Sequence, residues 1–214
     1  MDQKELAAFA AAELKKLYPQ SVCALEYGKE PWKLMVMGRL SAQCTDKRVN
    51  IVCETLFREF PTAEALGEGD LSRIEEIVKP CGLYRTKAAS IKEECRMLTE
   101  EYGGVLPDTM EELLRFPGVG RKIANLLLGD VYGLPAIVAD THCIRISARL
   151  GLTAPGEKDP VRTEMTLREL LPPEEGADFC HRIVSFGRDV CDARKPKCEG
   201  CPMAARCRYH KEKV

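Results

Sequence analysis

Leu113-Leu114-Arg115-Phe116-Pro117-Gly118-Val119-Gly120-Arg121-Lys122-Ile123-Ala124-Asn125 reads as a helix, a tight turn and a second helix. Gly118 and Gly120 admit backbone angles closed to other residues and let another backbone come close. The amides from Gly118 to Lys122 open the second helix, so unpaired N–H groups and the positive end of the helix dipole face the same way. Such a turn is an anion site made without side chains. With Arg121 beside it, a nucleic-acid phosphate is a natural ligand. The same residues also suit an ordinary helix-to-helix turn with Pro and Gly as punctuation. Lys122 sharpens the reading, because a cation in the first turn of a helix opposes the dipole and costs some stability. The same field, with partial burial, favours the neutral amine, which is the nucleophilic form.

Helical periodicity extends outward in both directions. Leu6, Phe9, Ala10, Leu14 and Leu17 mark an amphipathic helix that ends before Pro19. Trp32 to Leu40 is nearly all apolar, as for a helix buried on most sides. Asp46 can cap a helix carrying Val49, Val52, Cys53, Leu56 and Phe60 on one face. Leu71, Ile74, Ile77 and Val78 predict a short helix. Ala88, Ile91, Cys95 and Leu98 predict one that stops near Gly103-Gly104. After the apolar stretch Pro135 to Ala139, Asp140-Thr141-His142 starts another, and breaks at Pro155-Gly156 and Pro172-Pro173 separate three or four in all. No stretch alternates as a strand would, so the fold class is all-α. Asp140 suits an N-cap, and it also suits a catalytic carboxylate; both roles can hold at once.

Cysteine usage divides in two. Cys23, Cys44, Cys53, Cys81, Cys95, Cys143 and Cys180 sit mostly among apolar neighbours and read as small buried hydrophobes. Cys191, Cys198, Cys201 and Cys207 have the spacing C-x6-C-x2-C-x5-C within seventeen residues. Four thiolates on one short loop suit a tetrahedral zinc or a four-iron cluster, and ligand type alone does not separate these. Filled coordination makes such a centre structural rather than catalytic. Lys195, Lys197, Arg206 and Arg208 around the loop offset its charge and can meet phosphate.

The 214 residues, 45% apolar and 30% charged, allow one large or two small soluble domains. A membrane-spanning run and a signal peptide are not visible, so a cytoplasmic protein is expected. The net charge of −1 excludes a uniformly basic nucleic-acid coat. Residues 182–214 nevertheless carry nine Lys/Arg against four Asp/Glu, which suits a local polyanion contact or a solvated tail.

Together these residues resemble the endonuclease III DNA glycosylases of the helix-hairpin-helix superfamily. The resemblance covers nearly the whole chain. It runs through Leu40-Ser41-Ala42-Gln43, Thr45-Asp46, Gly82-Leu83-Tyr84, Phe116 to Asn125, Val138 to His142, and Ala193-Arg194-Lys195-Pro196 into the cysteine loop. It implies two helical domains with a DNA-binding cleft between them, one over residues 22–134 and the other over 1–21 plus 135–214. It implies a [4Fe-4S] cluster on Cys191, Cys198, Cys201 and Cys207. By the same match Lys122 is the nucleophile and Asp140 its partner, while Gln43 and Leu83 fill the gap of a flipped base and wedge the opposite strand. Gly118, Val119, Gly120, Arg121 and His142 are the further DNA contacts. The partner implied is double-stranded DNA with a damaged pyrimidine or an abasic site, and the enzyme a monomer with glycosylase and lyase activity.

Two residues depart from the pattern. Arg39 interrupts an apolar helix four residues before Gln43, where it either lines the base pocket and alters lesion choice or reaches solvent past Gly38. Leu114 stands where some relatives carry a glutamate. An adenine-mismatch enzyme would need a glutamate between Met35 and Leu40, and none is there. A mismatch-specific thymine or uracil glycosylase and a non-catalytic iron–sulfur DNA-binding protein are the alternatives. Lys122 and Asp140 argue against the second, since neither phosphate nor iron requires them.

Overall fold

Among the described residues seven helices begin on an Asp or Thr whose side chain accepts a hydrogen bond from the first turn, each such cap being worth about 1 kcal/mol. The computed structural model describes residues 2–212. In chain order the helices are α1 (Gln3–Leu17), α2 (Pro31–Leu40), α3 (Asp46–Glu59), α4 (Ala63–Glu68), α5 (Leu71–Val78) and α6 (Tyr84–Tyr102). Then follow α7 (Met110–Leu113), α8 (Arg121–Asp130), α9 (Thr141–Leu150), α10 (Pro160–Leu170), α11 (Gly176–Asp189) and α12 (Arg208–Lys211). Among the described residues there is no strand, and no helix is long and apolar enough to cross a membrane. The chain divides into two compact units, Cys23–Tyr132 and Met1–Val22 with Gly133–Val214.

In the unit Cys23–Tyr132, α2 is the hub. Leu34, Met35, Val36, Met37 and Leu40 are all buried, so this helix has almost no polar face, as its apolar sequence predicts. It packs against α3, α6 and α8. Gly38 sets the spacing to α8, because a Cβ there would stand 3.2 Å from the Ile123 side chain. That contact seats the start of α8, and with it the turn that precedes it. On the far side α4 lies against α6, where a Cβ on Gly67 would come within 2.8 Å of the Arg96 backbone nitrogen. The six residues of α4, with a glycine among them, are too few for periodicity to reveal from sequence.

In the other unit α9 and α11 pack together, with α1 against α10 and α11, and α12 against α9. Ile146, Leu150, Phe179, Ile183, Phe186 and Met203 supply its core. Residues 135–139, without regular secondary structure, pass across the start of α11. A Cβ on Gly176 would come within 2.5 Å of the Ala136 carbonyl oxygen, and the Val138 amide donates to Cys180 Sγ at 3.2 Å. The segment is thereby pinned, and it delivers Asp140 to the head of α9.

Two local expectations change. Thr45 rather than Asp46 caps α3, because Thr45 is still extended while Asp46 has already turned helical. The buried face of α1 is Leu6, Ala7, Ala10, Ala11 and Leu14, with Leu17 exposed and Phe9 half-buried beneath the Arg206 guanidinium, 4.1 Å from its ring centre. Small alanines let α1 approach closely, so the bulkier Phe9 sits at the margin.

The α4–α6 contact is backbone against backbone and has no slack. Gly67→Ala is expected to destabilise the protein by about 1–3 kcal/mol, read as a lower urea midpoint with an unchanged slope.

Candidate functional site

The hairpin is a four-residue turn closed by the Val119 amide donating to the Phe116 carbonyl at 3.0 Å. Pro117 and Gly118 are its central residues, and Gly118 has φ +85°, the left-handed value that a type II turn demands at this place. Gly120 corrects the sequence reading: it is extended, φ −97° and ψ 177°, which any residue adopts. A Cβ on Gly120 meets nothing within 4 Å, so neither backbone angle nor internal packing calls for glycine there. Val119 also differs, since its amide is used inside the turn and its side chain is buried. Ala124, bonded to Gly120 O at 2.9 Å, begins the regular hydrogen bonding of α8. Arg121 is half-buried, whereas Lys122 is exposed rather than partly buried as its place in the helix suggested. Next to Lys122 in the electrostatic field of this unit is Cys23. Its thiol is pushed up to about 12 by burial and by Asp130, while Lys122 acts in the opposite sense.

Arg39 lies under the same turn. The imagined Cβ of Gly118 would fall 2.5 Å from Arg39 Nε and 2.8 Å from its Cδ, with Glu94 Oε1 at 3.2 Å. Glu94 is fully buried on α6, and among the described residues neither of its carboxylate oxygens has a hydrogen-bond partner. Burial pushes its carboxyl well above the usual carboxylate range, and the Arg39 charge pulls it back. Gly118 is therefore needed twice, for its backbone angle and for the room that Arg39 takes. The sequence reading missed Glu94. The signal was there, because Glu94 and Lys87 fall within the apolar stripe of Ala88, Ile91, Cys95 and Leu98.

Gln43 and Leu83 are both exposed, Leu83 by 61%, and both lie in left-handed backbone with φ 55° and 48°. For a non-glycine residue this conformation costs of order 1–3 kcal/mol, and it persists only where the surroundings impose it. Lys29 is the one other such residue among those described.

Asp140, in the second unit, is half-buried and caps α9, its Oδ1 accepting from the Cys143 amide at 2.8 Å. His142 follows, with Nδ1 3.1 Å from Arg145 Nη2. Arg145 Nη2 also donates to the Cys191 carbonyl at 3.1 Å. Arg149, one turn further along α9, donates to the carbonyls of Asp192 and Ala193 at 2.7 Å each and to Cys191 Sγ at 3.3 Å. The two arginines thus carry the cysteine loop on α9.

Cys191, Cys198, Cys201 and Cys207 line a single cavity with Ile146, Leu150, Phe186 and Val190. Among the described residues, no three His, Cys, Asp or Glu side chains converge on one point. Four separate thiols around one apolar cavity, with a guanidinium donating to one sulfur, fit a cluster that takes a thiolate at each of four corners.

Comparison with known proteins agrees with this geometry. Residues 36–173 match the HhH-GPD superfamily of base excision DNA repair proteins, and residues 191–207 match the iron–sulfur binding domain of endonuclease III. The endonuclease III of a Synechocystis species is 45% identical over 96% of this chain and 93% of its own. The chain belongs to the endonuclease III family. Among solved structures, a non-covalent complex of endonuclease III with DNA matches at a TM-score of 0.93 and 37% identity, covering 100% of this chain and 99% of that one. A trapped covalent endonuclease III–DNA intermediate matches to the same degree, TM-score 0.93 at 37% identity and the same coverage. As a member of the endonuclease III family the protein is a DNA-binding glycosylase and AP lyase of base excision repair, and its cysteine loop carries a [4Fe-4S] cluster.

Glu94 holds its proton more tightly in the fold than in the unfolded chain. Its contribution favours folding below the ordinary carboxylate range and is lost as pH rises through the raised value. Urea midpoints of the wild type are expected to fall across that window, and Glu94→Gln to remove the fall. Arg39→Leu strips the cation from beside a buried carboxyl and is expected to deepen it, at a cost of about 2 kcal/mol near neutral pH. A pH series of urea melts on the three proteins measures both effects.

Proposed function

We propose that this enzyme removes oxidised pyrimidines from duplex DNA through a covalent Schiff base on Lys122 and then cleaves the strand 3′ to the lesion by β-elimination. The observation that carries this reading is Lys122 itself, an exposed amine in the first turn of α8, directly after the hairpin turn. A lysine placed against the helix dipole has no structural gain to explain it. Proteins whose solved structures match this one include an endonuclease III trapped in covalent union with DNA, which favours a nucleophilic amine over an activated water.

The chemistry follows from the groups present. The target C1′ is shielded within the stack, so the damaged nucleotide must be turned out first. The neutral Lys122 amine attacks C1′, and the glycosidic C–N bond breaks with its electron pair leaving on the base, which takes up a proton. Positive charge develops on the sugar as that bond lengthens. Asp140 commits Oδ1 to the Cys143 amide and offers its second oxygen to that charge. The sugar ring then opens, its oxygen taking a proton, and an iminium links C1′ to Lys122. The iminium acidifies the C2′ proton. Loss of that proton pushes out the 3′ phosphate, and water releases the amine.

Within this reading the hairpin holds the backbone beside the lesion, and Gly120 is glycine so that the phosphate can come close. Gln43 and Leu83 fill the space the base vacates and wedge the opposite strand. The cluster fixes the fold of residues 191–207, where Lys195, Lys197 and Arg206 gather as further phosphate contacts.

Borohydride added during reaction with duplex DNA carrying one thymine glycol is expected to trap wild type covalently and to trap nothing with Lys122→Ala. Base release by Lys122→Ala at an undiminished rate would overturn the assignment. Asp140→Asn is expected to keep the cap and to lower the single-turnover rate by roughly 100-fold or more. Gly120→Ala should leave the melting temperature where it is while weakening duplex binding several-fold, measured by fluorescence anisotropy.

A further inference from the structure

Lys87 is 1% exposed, an unusual fate for a lysine. Its ammonium donates to three backbone carbonyls, Leu40 at 2.8 Å, Ala42 at 2.7 Å and Cys81 at 2.8 Å. An ammonium has three hydrogens and all three are used. Its own amide donates to the Leu83 carbonyl at 3.0 Å. Ala42 precedes Gln43, and Cys81 precedes Gly82 and Leu83. One buried charge therefore joins the two loops that carry Gln43 and Leu83, two of the three non-glycine residues in left-handed backbone among those described. Burial lowers the pKa of Lys87, and the nearby Cys81 and Cys44 oppose that effect. α6 starts on Leu83 without a side-chain cap, while at the end of α2 the Ser41 hydroxyl donates to the Gly38 carbonyl at 2.8 Å.

We infer that Lys87 is a positioning residue for base excision, holding Gln43 and Leu83 at a fixed spacing in strained backbone so that both can enter the duplex together when the lesion is flipped. The inference rests on the reading of Gln43 and Leu83 as the gap-filling and wedging residues. The ammonium does what no other side chain can do at this place. A guanidinium presents a flat fork rather than three diverging donors, and an uncharged amide has only two. Without the charge, three carbonyls lose their common partner, and of the contacts between the two loops the hydrogen bond between the Cys44 and Cys81 thiols remains. The left-handed angles at Gln43 and Leu83 are costly in themselves and would relax first. Lys87 is not near the reacting atoms in this account, so its loss leaves the chemistry of Lys122 and Asp140 intact.

The test compares two substrates on the same protein. One is duplex DNA with a single thymine glycol, which must be opened before it reacts. The other is single-stranded DNA with an abasic site, which has no stack to open. Lys87→Gln and Lys87→Arg are each measured by single-turnover cleavage of both substrates. The duplex rate is expected to fall roughly 10- to 100-fold in each variant while the single-strand rate stays within about twofold. Taking the ratio cancels any fraction of unfolded protein, so a merely structural role would lower both rates equally. Equal loss on both substrates, or an unchanged ratio, would overturn the inference. Leu83→Ala and Gln43→Ala run in parallel separate the two layers of the argument. If they lower the ratio and the Lys87 variants do not, the positioning role falls alone. If they do not lower it either, the gap-filling reading falls and takes the positioning role with it.

Discussion

The hairpin depends on α2 and α8 lying close enough for Gly38 to touch Ile123. An α2 that is apolar but for Lys33 and Arg39 has little register of its own to offer, because almost every other side chain on it is equally content in the core. A missing side chain breaks that degeneracy. At Gly38 the neighbouring helix comes nearer than it could anywhere else along α2, and this sets where the first turn of α8 must start. Arg39 follows immediately, and its stem occupies the space under Gly118 that a larger residue in the turn would need. Two glycines, one on α2 and one in the turn, thus define a shelf for the backbone between Phe116 and Lys122. Ridge-and-groove packing sets helix positions only to within a scatter. Close approach at a glycine is more exacting.

Much of this was legible from the chain alone, and the reason differs from element to element. The helices were legible because each is long enough to show an apolar face, or is bracketed by Asp, Thr, Gly or Pro. The hairpin was legible because Pro117-Gly118 marks its turn and Lys122 is badly placed for any structural purpose. The cysteine loop was legible because four ligands fall within one short segment. What escaped notice was of another kind. α4 is shorter than two turns. Glu94 and Lys87 are buried charges on a helix whose pattern was judged by its apolar members, and a periodicity argument discards the exceptions. Gly118 and Gly120 look alike in the sequence and only Gly118 has the left-handed angle, since glycine in sequence does not say which of its two freedoms is in use. The left-handed backbone of Gln43 and Leu83 is imposed by partners distant in sequence, so no local rule reports it.

The cysteine loop shows how little regular structure a metal centre requires. Between α11 and α12 the chain has one short 3₁₀ turn and no longer helix. Its carbonyls are instead collected by side chains from α9, with Arg145 and Arg149 taking those of Cys191, Asp192 and Ala193. The Arg149 guanidinium also stacks on Tyr209, 4.7 Å from the ring centre, and α12 is tied in behind it. The loop is held on α9 at its first and its last cysteine before any iron is counted, Arg149 donating to Cys191 Sγ and Cys207 Sγ donating to the Arg149 carbonyl, each at 3.3 Å.

A unit made from both ends of the chain has a consequence for how the protein is born. The stretch from Cys23 to Tyr132 is continuous, and it can close its core as soon as it has left the ribosome. α1 emerges before it but must wait, because the helices it packs on, α10 and α11, are synthesised well over a hundred residues later. At about 5–20 residues per second that is an interval of many seconds, during which an amphipathic helix with an alanine-lined face has nothing to cover it. The four cysteines follow α9 and α11 out of the ribosome, so iron–sulfur loading comes after the hairpin unit can close, and a chain ending before Cys207 would have the hairpin but lack one of the four thiols.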